Sequence, residues 1–254
     1  MLERLGFGRT KAEAPQGRPP EGSRIYAIGD IHGELEMLQD LLELIERDAA
    51  EAEPERRVVV YLGDYVDRGG ESREVLDLLL SGPLPGFESV HLKGNHETAF
   101  LGFMEAPENN LHWLTYGGVS TCASYGVDTA APPEGADMLA WLQAELRDKV
   151  PQAHKDFLAN LPLSHQEGDF FFAHAGIRPG IPVEEQVADD LMWIREPFLD
   201  SDADHGKIVV HGHTPEWAPV QRLNRIGIDT GACYGGALTA LVLDGDQQTF
   251  LQVS

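Results

Sequence analysis

The chain predicts an α/β fold of two packed, mixed sheets flanked by helices, with a helical insert beside the strand ends. Three observations predict it. Short apolar runs of strand length recur along the chain. The first three alternate with stretches whose apolar residues fall at helical spacing. In the last third, hairpin-like connections replace the helices. A length of 254 residues suits one such domain with a well-buried core.

Residues 1–22 hold Gly6, Gly8, Pro15, Gly17, Pro19, Pro20 and Gly22 and carry no apolar period, so they read as a flexible tail before a domain spanning 23–254. Arg24 to Ile28 is the first strand. Leu35, Leu38, Leu41, Leu42 and Ile45 then mark an amphipathic helix over roughly 34–49. Val58 to Leu62 is the second strand, roughly 71–80 a short helix, and Ser89 to Leu92 the third strand. This β-α-β-α-β order predicts parallel strands with right-handed crossovers. Ligands gather beyond the carboxyl ends of such strands.

From about 97 to 162 the pattern is mainly helical, and its Met and Trp residues read as core. Further strands are expected at 169–173, 207–210, 219–223, 226–228 and 237–243. Residues 249–253 are expected to close the second sheet. Asp229 and Tyr234, in a glycine-rich turn, read as parts of a tight hairpin rather than of a site.

The net charge of −23 excludes a nucleic-acid backbone as partner, because phosphate contacts need a basic stripe. It reads as a solubilising acidic surface. No apolar run is long enough to span a bilayer, and the start lacks a secretory pattern, so a cytoplasmic location is expected. Cys122 and Cys233 lie far apart and read as reduced, structural thiols.

Five strand ends share one design: a glycine or alanine beside residues that bind metals. They are Gly29-Asp30-Ile31-His32-Gly33, Gly63-Asp64-Tyr65-Val66-Asp67-Arg68-Gly69, Gly94-Asn95-His96-Glu97, His174-Ala175-Gly176 and Gly212-His213-Thr214. Taken alone, each reads as a turn, a helix start or a core histidine. Five in one chain point to a site. The donors are all nitrogen and oxygen, which suits manganese, iron or zinc in a reactive centre better than a cysteine-rich structural cage. Asp30 and His32 are two apart, so both reach one ion; Asp64 has two oxygens and suits a bridge between two ions. Asn95, His174 and His213 suit the second ion, with His211 competing for the place of His213.

Two cations roughly 3.5–4 Å apart suit phosphate chemistry, because they hold the phosphate and acidify a shared water. His96 is then the expected proton donor to the leaving group, with Asp67 holding its ring. Arg68 and Arg195 suit the non-bridging phosphate oxygens. His91, His112, His154, His165 and His205 have no such setting.

These motifs resemble the phosphoprotein phosphatase family of metallophosphoesterases, across residues 24 to 243. The resemblance implies an α/β sandwich with a dinuclear site, commonly manganese-loaded in bacterial members. It implies Asp30, His32 and Asp64 on one ion and Asp64, Asn95, His174 and His213 on the other, which selects His213 over His211. His96 with Asp67 is similar to the family's acid pair. Arg68 is similar to its phosphate arginine, and Arg195 to the second one of bacterial and phage-type members.

Pro215 stands where many broader metallophosphoesterases have another metal histidine. The turn from Asp229 to Gly236 resembles bacterial members, including those that cleave diadenosine tetraphosphate symmetrically. Trp113 to Gly126 resembles bacterial serine/threonine phosphatases. The expected activity is therefore hydrolysis of phosphoserine and phosphothreonine, with phosphotyrosine as an extension, in a phosphoprotein or phosphopeptide substrate by a metal-activated hydroxide. The alternatives are a symmetrical dinucleoside tetraphosphate hydrolase and a general small-molecule phosphatase.

Overall fold

The first two strands carry apolar side chains on both faces and need cover on both, and the chain supplies it. The computed structural model describes residues 16–254. In chain order it begins with β1 (Ser23–Ile28), α1 (Leu35–Ala52), β2 (Arg56–Tyr61), α2 (Ser72–Leu80) and β3 (Glu88–His91). Four helices follow: α3 (Asn95–Glu105), α4 (Val119–Ser124), α5 (Met138–Lys149) and α6 (Gln152–Ala159). Then come β4 (Ser164–Glu167), β5 (Phe170–Ala173), α7 (Ala188–Trp193), β6 (Ile208–His211), β7 (Val220–Gln221) and β8 (Arg225–Gly227). The chain ends with β9 (Leu238–Asp244) and β10 (Gln247–Val253).

The strands form two five-stranded sheets, ordered β10-β9-β1-β2-β3 and β4-β5-β6-β8-β7. The β1–β2–β3 pairs are parallel, as are β5–β6 and β6–β8; the outer pairs are antiparallel. Alternation along each strand sorts the side chains into layers. Ile25, Ala27, Val58, Val60, Phe170, Phe172, Val210 and Leu241 meet between the sheets. Tyr26, Ile28, Val59 and Tyr61 point the other way, into a cluster with Leu38, Leu41, Ile45, Phe100 and Leu146 of the helices. Phe171, Ala173 and Val209 pack outward against Ile177, Leu191 and Phe198. A side-chain cap starts α5, where Asp137 Oδ1 accepts the Leu139 and Ala140 N–H groups.

The structure departs from expectation at three places. Residues 249–253 do not close the second sheet. Gly245, at φ +54°, turns the chain so that β10 pairs back on β9, and β9 pairs on β1 in the first sheet. β4 was not foreseen, because Ser-His-Gln-Glu has no strand-like composition; the turn at Gly168, φ +56°, folds it onto β5. Residues 16–22, expected within the tail, lie along the body. The Arg18 N–H donates to the Asp169 carboxylate at 2.9 Å, the Asp169 N–H donates to the Arg18 carbonyl at 3.0 Å, and the Arg56 N–H reaches the Gly22 carbonyl. The rest of the tail expectation falls on residues 1–15, outside the described residues. Among the described residues, no helix is long and apolar enough to cross a membrane.

Candidate metal centre

The ends of β1, β2, β3, β5 and β6 face one another, and each delivers its polar group to the same place. Two groupings have ligand atoms within 4.8 Å of one another: His32, Asp64 and His96, and Asp64, His174 and His213. All are buried, and Asp64 belongs to both. Its Oδ2 lies 3.5 Å from His32 Nε2, 3.4 Å from His174 Nε2 and 3.9 Å from His96 Nε2. Asn95 Oδ1 joins the second grouping, 2.9 Å from His174 Nε2 and 3.0 Å from His213 Nδ1. Asp30 backs the centre: its carboxylate accepts the His213 N–H at 3.1 and 3.2 Å.

The backbone is bent to achieve this. Among the described residues, six non-glycine residues have positive φ, and five are His32, Asp64, Asp67, Arg68 and His213. Such conformations cost about 1–3 kcal/mol each and persist where surrounding structure over-determines them. Two glycines allow the close approach. A Cβ on Gly94 would sit 2.1 Å from Asp64 Oδ1, and one on Gly212 would sit 2.0 Å from Asp30 Oδ1.

Hydrogen bonds fix which ring nitrogens face inward. His32 Nδ1–H donates to the Val66 carbonyl at 2.8 Å, and His174 Nδ1–H to the Leu62 carbonyl at 3.0 Å, leaving each Nε2 toward the centre. His213 Nε2 is buried with no hydrogen-bond partner. With the inward ring nitrogens unprotonated, His174 Nε2, His213 Nδ1, Asn95 Oδ1 and Asp64 Oδ2 form a nitrogen and oxygen donor set that fits a divalent cation. The electrostatics place a proton on His174 that a bound cation has to displace. Burial opposes the charge on Asp64, yet the imidazoles of His174, His96 and His32 outweigh it and hold the carboxyl well below the usual range. Burial would likewise lower His174, but Asp64 and Asp30 raise it to about 10. Burial pushes His32 and His213 down to about 3, the neutral form that a ligand needs.

A second set of side chains stands over the first. His96 Nδ1–H donates to Asp67 Oδ2 at 2.6 Å. The Arg68 guanidinium spans the two rings, with Nη1 against His32 Nε2 and Nη2 3.0 Å from His96 Nε2. Arg195 reaches the rim, its Nη2 3.4 Å from the His213 carbonyl. His211 turns away: its Nε2 accepts from Arg225 Nη1 at 3.3 Å, and its ring packs edge-on to Phe198.

Five contributors went unread in the sequence or were assigned elsewhere. Glu97, which reads there as no more than a helix start, is fully buried and accepts the N–H groups of Asp64, Tyr65 and Gly94 at 2.8–2.9 Å. Its spacing three residues after Gly94 at the helix start was the available signal. Trp113, taken as core of the insert, and Thr121, which the sequence reading passes over, both donate to the Asp67 carboxylate, at 2.9 and 2.6 Å from its nearest oxygens. No local pattern announces that. Asp229, read as part of a hairpin, is buried against the centre, where burial and the Asp64 charge raise its pKa. Tyr234 of the same turn places its ring 5.3 Å from the Arg68 guanidinium. Cys233 and Cys122 are free thiols.

Comparison with known proteins is consistent with this centre. Residues 23–235 match the family described as calcineurin-like phosphoesterase. The bis(5'-nucleosyl)-tetraphosphatase PrpE [asymmetrical] of Anoxybacillus flavithermus is 27% identical over 235 residues, covering 84% of this chain and 88% of that protein. The serine/threonine-protein phosphatase 2 of Escherichia coli is 40% identical over 94 residues, 37% of this chain and 38% of that one. The crystal structure of a candidate diadenosine tetraphosphatase superposes with a TM-score of 0.61 at 22% identity, covering 96% of this chain and 99% of that one.

Proposed function

The chain belongs to the calcineurin-like phosphoesterase family, and from that premise we propose that it hydrolyses a phosphoanhydride bond of dinucleoside polyphosphates at a two-metal centre. One observation carries the reading: the two ligand groupings that share Asp64 lie beside aromatic faces suited to nucleobases. Tyr234 is 54% exposed while covering Arg68, and Trp193, 36% exposed, stands edge-on to His213 at 6.3 Å. The relative matched over most of both chains is a tetraphosphatase by name, whereas the protein phosphatase likeness spans little more than a third of the chain. The order of preference drawn from the sequence is therefore reversed, and the protein phosphatase reading becomes the second one.

Asp30, His32 and Asp64 would hold one divalent ion, and Asp64, Asn95, His174 and His213 the other, with manganese the first candidate. When bound, two such ions supply Lewis-acid activation of a water and charge neutralisation at the phosphoryl group. Arg68 and Arg195 grip the non-bridging oxygens and orient the phosphorus for in-line attack. As the bridging P–O bond breaks, His96 delivers its Nε2 proton to the departing oxygen. Asp67 fixes the ring through Nδ1 and stabilises its charged form. Burial would lower His96, but Asp64 and Asp67 raise it above the ordinary imidazole range.

The test is to supply manganese and compare diadenosine tetraphosphate with a phosphothreonine peptide, identifying nucleotide products by anion exchange. Faster turnover of the dinucleotide, to ATP and AMP or to two ADP, supports the reading. Turnover of the peptide at far greater efficiency overturns it in favour of protein phosphatase.

A further inference from the structure

Asp67 and Arg68 are neighbours, and one stretch of the helical insert touches both. Trp113 and Thr121 donate to the Asp67 carboxylate. Between them in sequence, the Gly117 carbonyl accepts the Arg68 N–H at 3.3 Å, and Ser120 Oγ–H donates to the Arg68 carbonyl at 2.9 Å. Both polar groups of the Arg68 backbone, which sits at φ +70°, are thereby answered. Gly117 has φ +117°, where a side chain is strained. A Cβ on it would sit 2.6 Å from Arg68 N and 2.7 Å from Arg68 Cγ. A Cβ on Gly118 would sit 2.4 Å from the Trp113 ring. The glycine pair of Tyr116-Gly117-Gly118 therefore lets one turn lie against Arg68 and against the indole that serves Asp67.

The far end of the arginine is held from another part of the chain. The Tyr234 ring lies over the guanidinium at 5.3 Å. Tyr234 stands between Gly231 and Gly235, at φ +72° and +82°, and its N–H donates to the Gly231 carbonyl at 2.9 Å. Its ring is thus carried by a closed turn rather than by a loose loop. Along its edge the guanidinium faces the Nε2 atoms of His32 and His96. Among the described residues Arg68 makes no ion pair, which leaves its charge to an anion. A loose arginine samples many rotamers, and ordering it at the moment of binding weakens its grip. Here the order is supplied beforehand, at the root by the insert and at the tip by the late turn.

We propose that Gly117 and Tyr234 are positioning residues for Arg68, the first seating its root and the second covering its guanidinium, so that together they set its grip on a phosphoryl group. The inference rests on the assignment of Arg68 to the phosphoryl oxygens in the reading above. It applies to a dinucleotide and to a phosphopeptide alike. Tyr234 stays half-exposed, so its contact with Arg68 leaves ring surface open to a nucleobase.

The test measures the Kd of inorganic phosphate by calorimetry in the manganese-loaded protein. Wild type, Gly117→Ala, Tyr234→Leu and Tyr234→Phe are compared, each also in an Arg68→Ala background. With Arg68 present, Kd is expected to rise about five- to tenfold in Gly117→Ala and Tyr234→Leu, and to change less than about twofold in Tyr234→Phe, which keeps the ring. With Arg68 removed, neither substitution is expected to weaken binding further, because each acts through the arginine. Losses of equal size in both backgrounds overturn the positioning role, and so does an unchanged Kd with Arg68 present. Should Gly117→Ala fail to fold, the half-exposed Tyr234 decides alone. Phosphate bound by Arg68→Ala as tightly as by wild type removes Arg68 from the phosphoryl group, and this inference with it. A protein that prefers the phosphopeptide overturns the dinucleotide reading and leaves the positioning of Arg68 standing.

Discussion

The indole Nε1 of Trp113 sits 2.9 Å from Asp67 Oδ2 and 3.0 Å from Oδ1. A side chain between β3 and β4 thus grips the carboxylate that holds His96. Thr121 adds a hydroxyl donor at 2.6 Å and accepts the Asp67 N–H at 2.9 Å. The helical stretch is in this way part of the acid's support. Trp113→Phe keeps an aromatic ring packed against Phe100 and Phe103, whose centroids lie 5.1 and 4.9 Å from that of Trp113, and deletes the donor. It is expected to cut kcat on phenyl phosphate about tenfold, with a smaller loss on p-nitrophenyl phosphate. Equal losses on both esters would assign Trp113 a packing role alone.

His96→Asn removes the proposed proton donor and spares the residues assigned to metal. Turnover of phenyl phosphate should fall by about 10²–10⁴, while p-nitrophenyl phosphate, whose leaving group hardly needs a proton, should lose much less. Metal content by elemental analysis should be retained. Loss of one ion would instead make His96 a ligand, as its membership of the grouping with His32 and Asp64 allows.

Asp64→Asn removes the charge of the proposed bridging carboxylate and leaves His32, His174 and His213 facing a neutral amide. Both metal occupancy and rate should drop. Full occupancy with two ions, measured after gel filtration, would rule out a bridging role for this carboxylate.

Acid should destabilise the protein partly through His91. This ring stacks on Tyr61 at 4.6 Å, nearly parallel, and its Nε2 is buried without a partner. Burial pushes its pKa down to about 4. The unfolded ring titrates near 6.5, so the neutral form is favoured by folding. Its contribution is complete above about pH 6.5 and is lost progressively as pH falls toward 4. The full shift corresponds to about 3 kcal/mol. His91→Phe should flatten the fall of Tm between pH 6.5 and 4; an unchanged slope would place the acid sensitivity elsewhere.

Much of the candidate centre is legible in the sequence. Asp30, Asp64, Asn95, His174 and His213 each follow a strand run, and a strand end is a place where period-two order delivers a side chain outward. Gly94 and Gly212 stand in those motifs, but that a Cβ there would meet Asp64 and Asp30 is seen only in the fold. Glu97 was harder to read, because a carboxylate three residues into a helix is normally accounted for by capping alone. Asp229 and Tyr234 were assigned to a hairpin for the same kind of reason: turn chemistry explains such residues locally, and only their neighbours across the fold give them a second role.

Strand periodicity, helical spacing and the recurrence of nitrogen and oxygen donors after glycine determined the α/β architecture, the strand ends that matter and the class of chemistry. These are local signals, carried by residues a few positions apart. Tertiary packing decided that β10 edges the first sheet and that Trp113 and Thr121 serve Asp67 from about fifty residues away. It also decided that Arg225 is buried beside a cavity. The physical reason is that hydrogen-bond satisfaction and burial depend on distances between segments far apart in the chain, and no periodicity within a single segment encodes them.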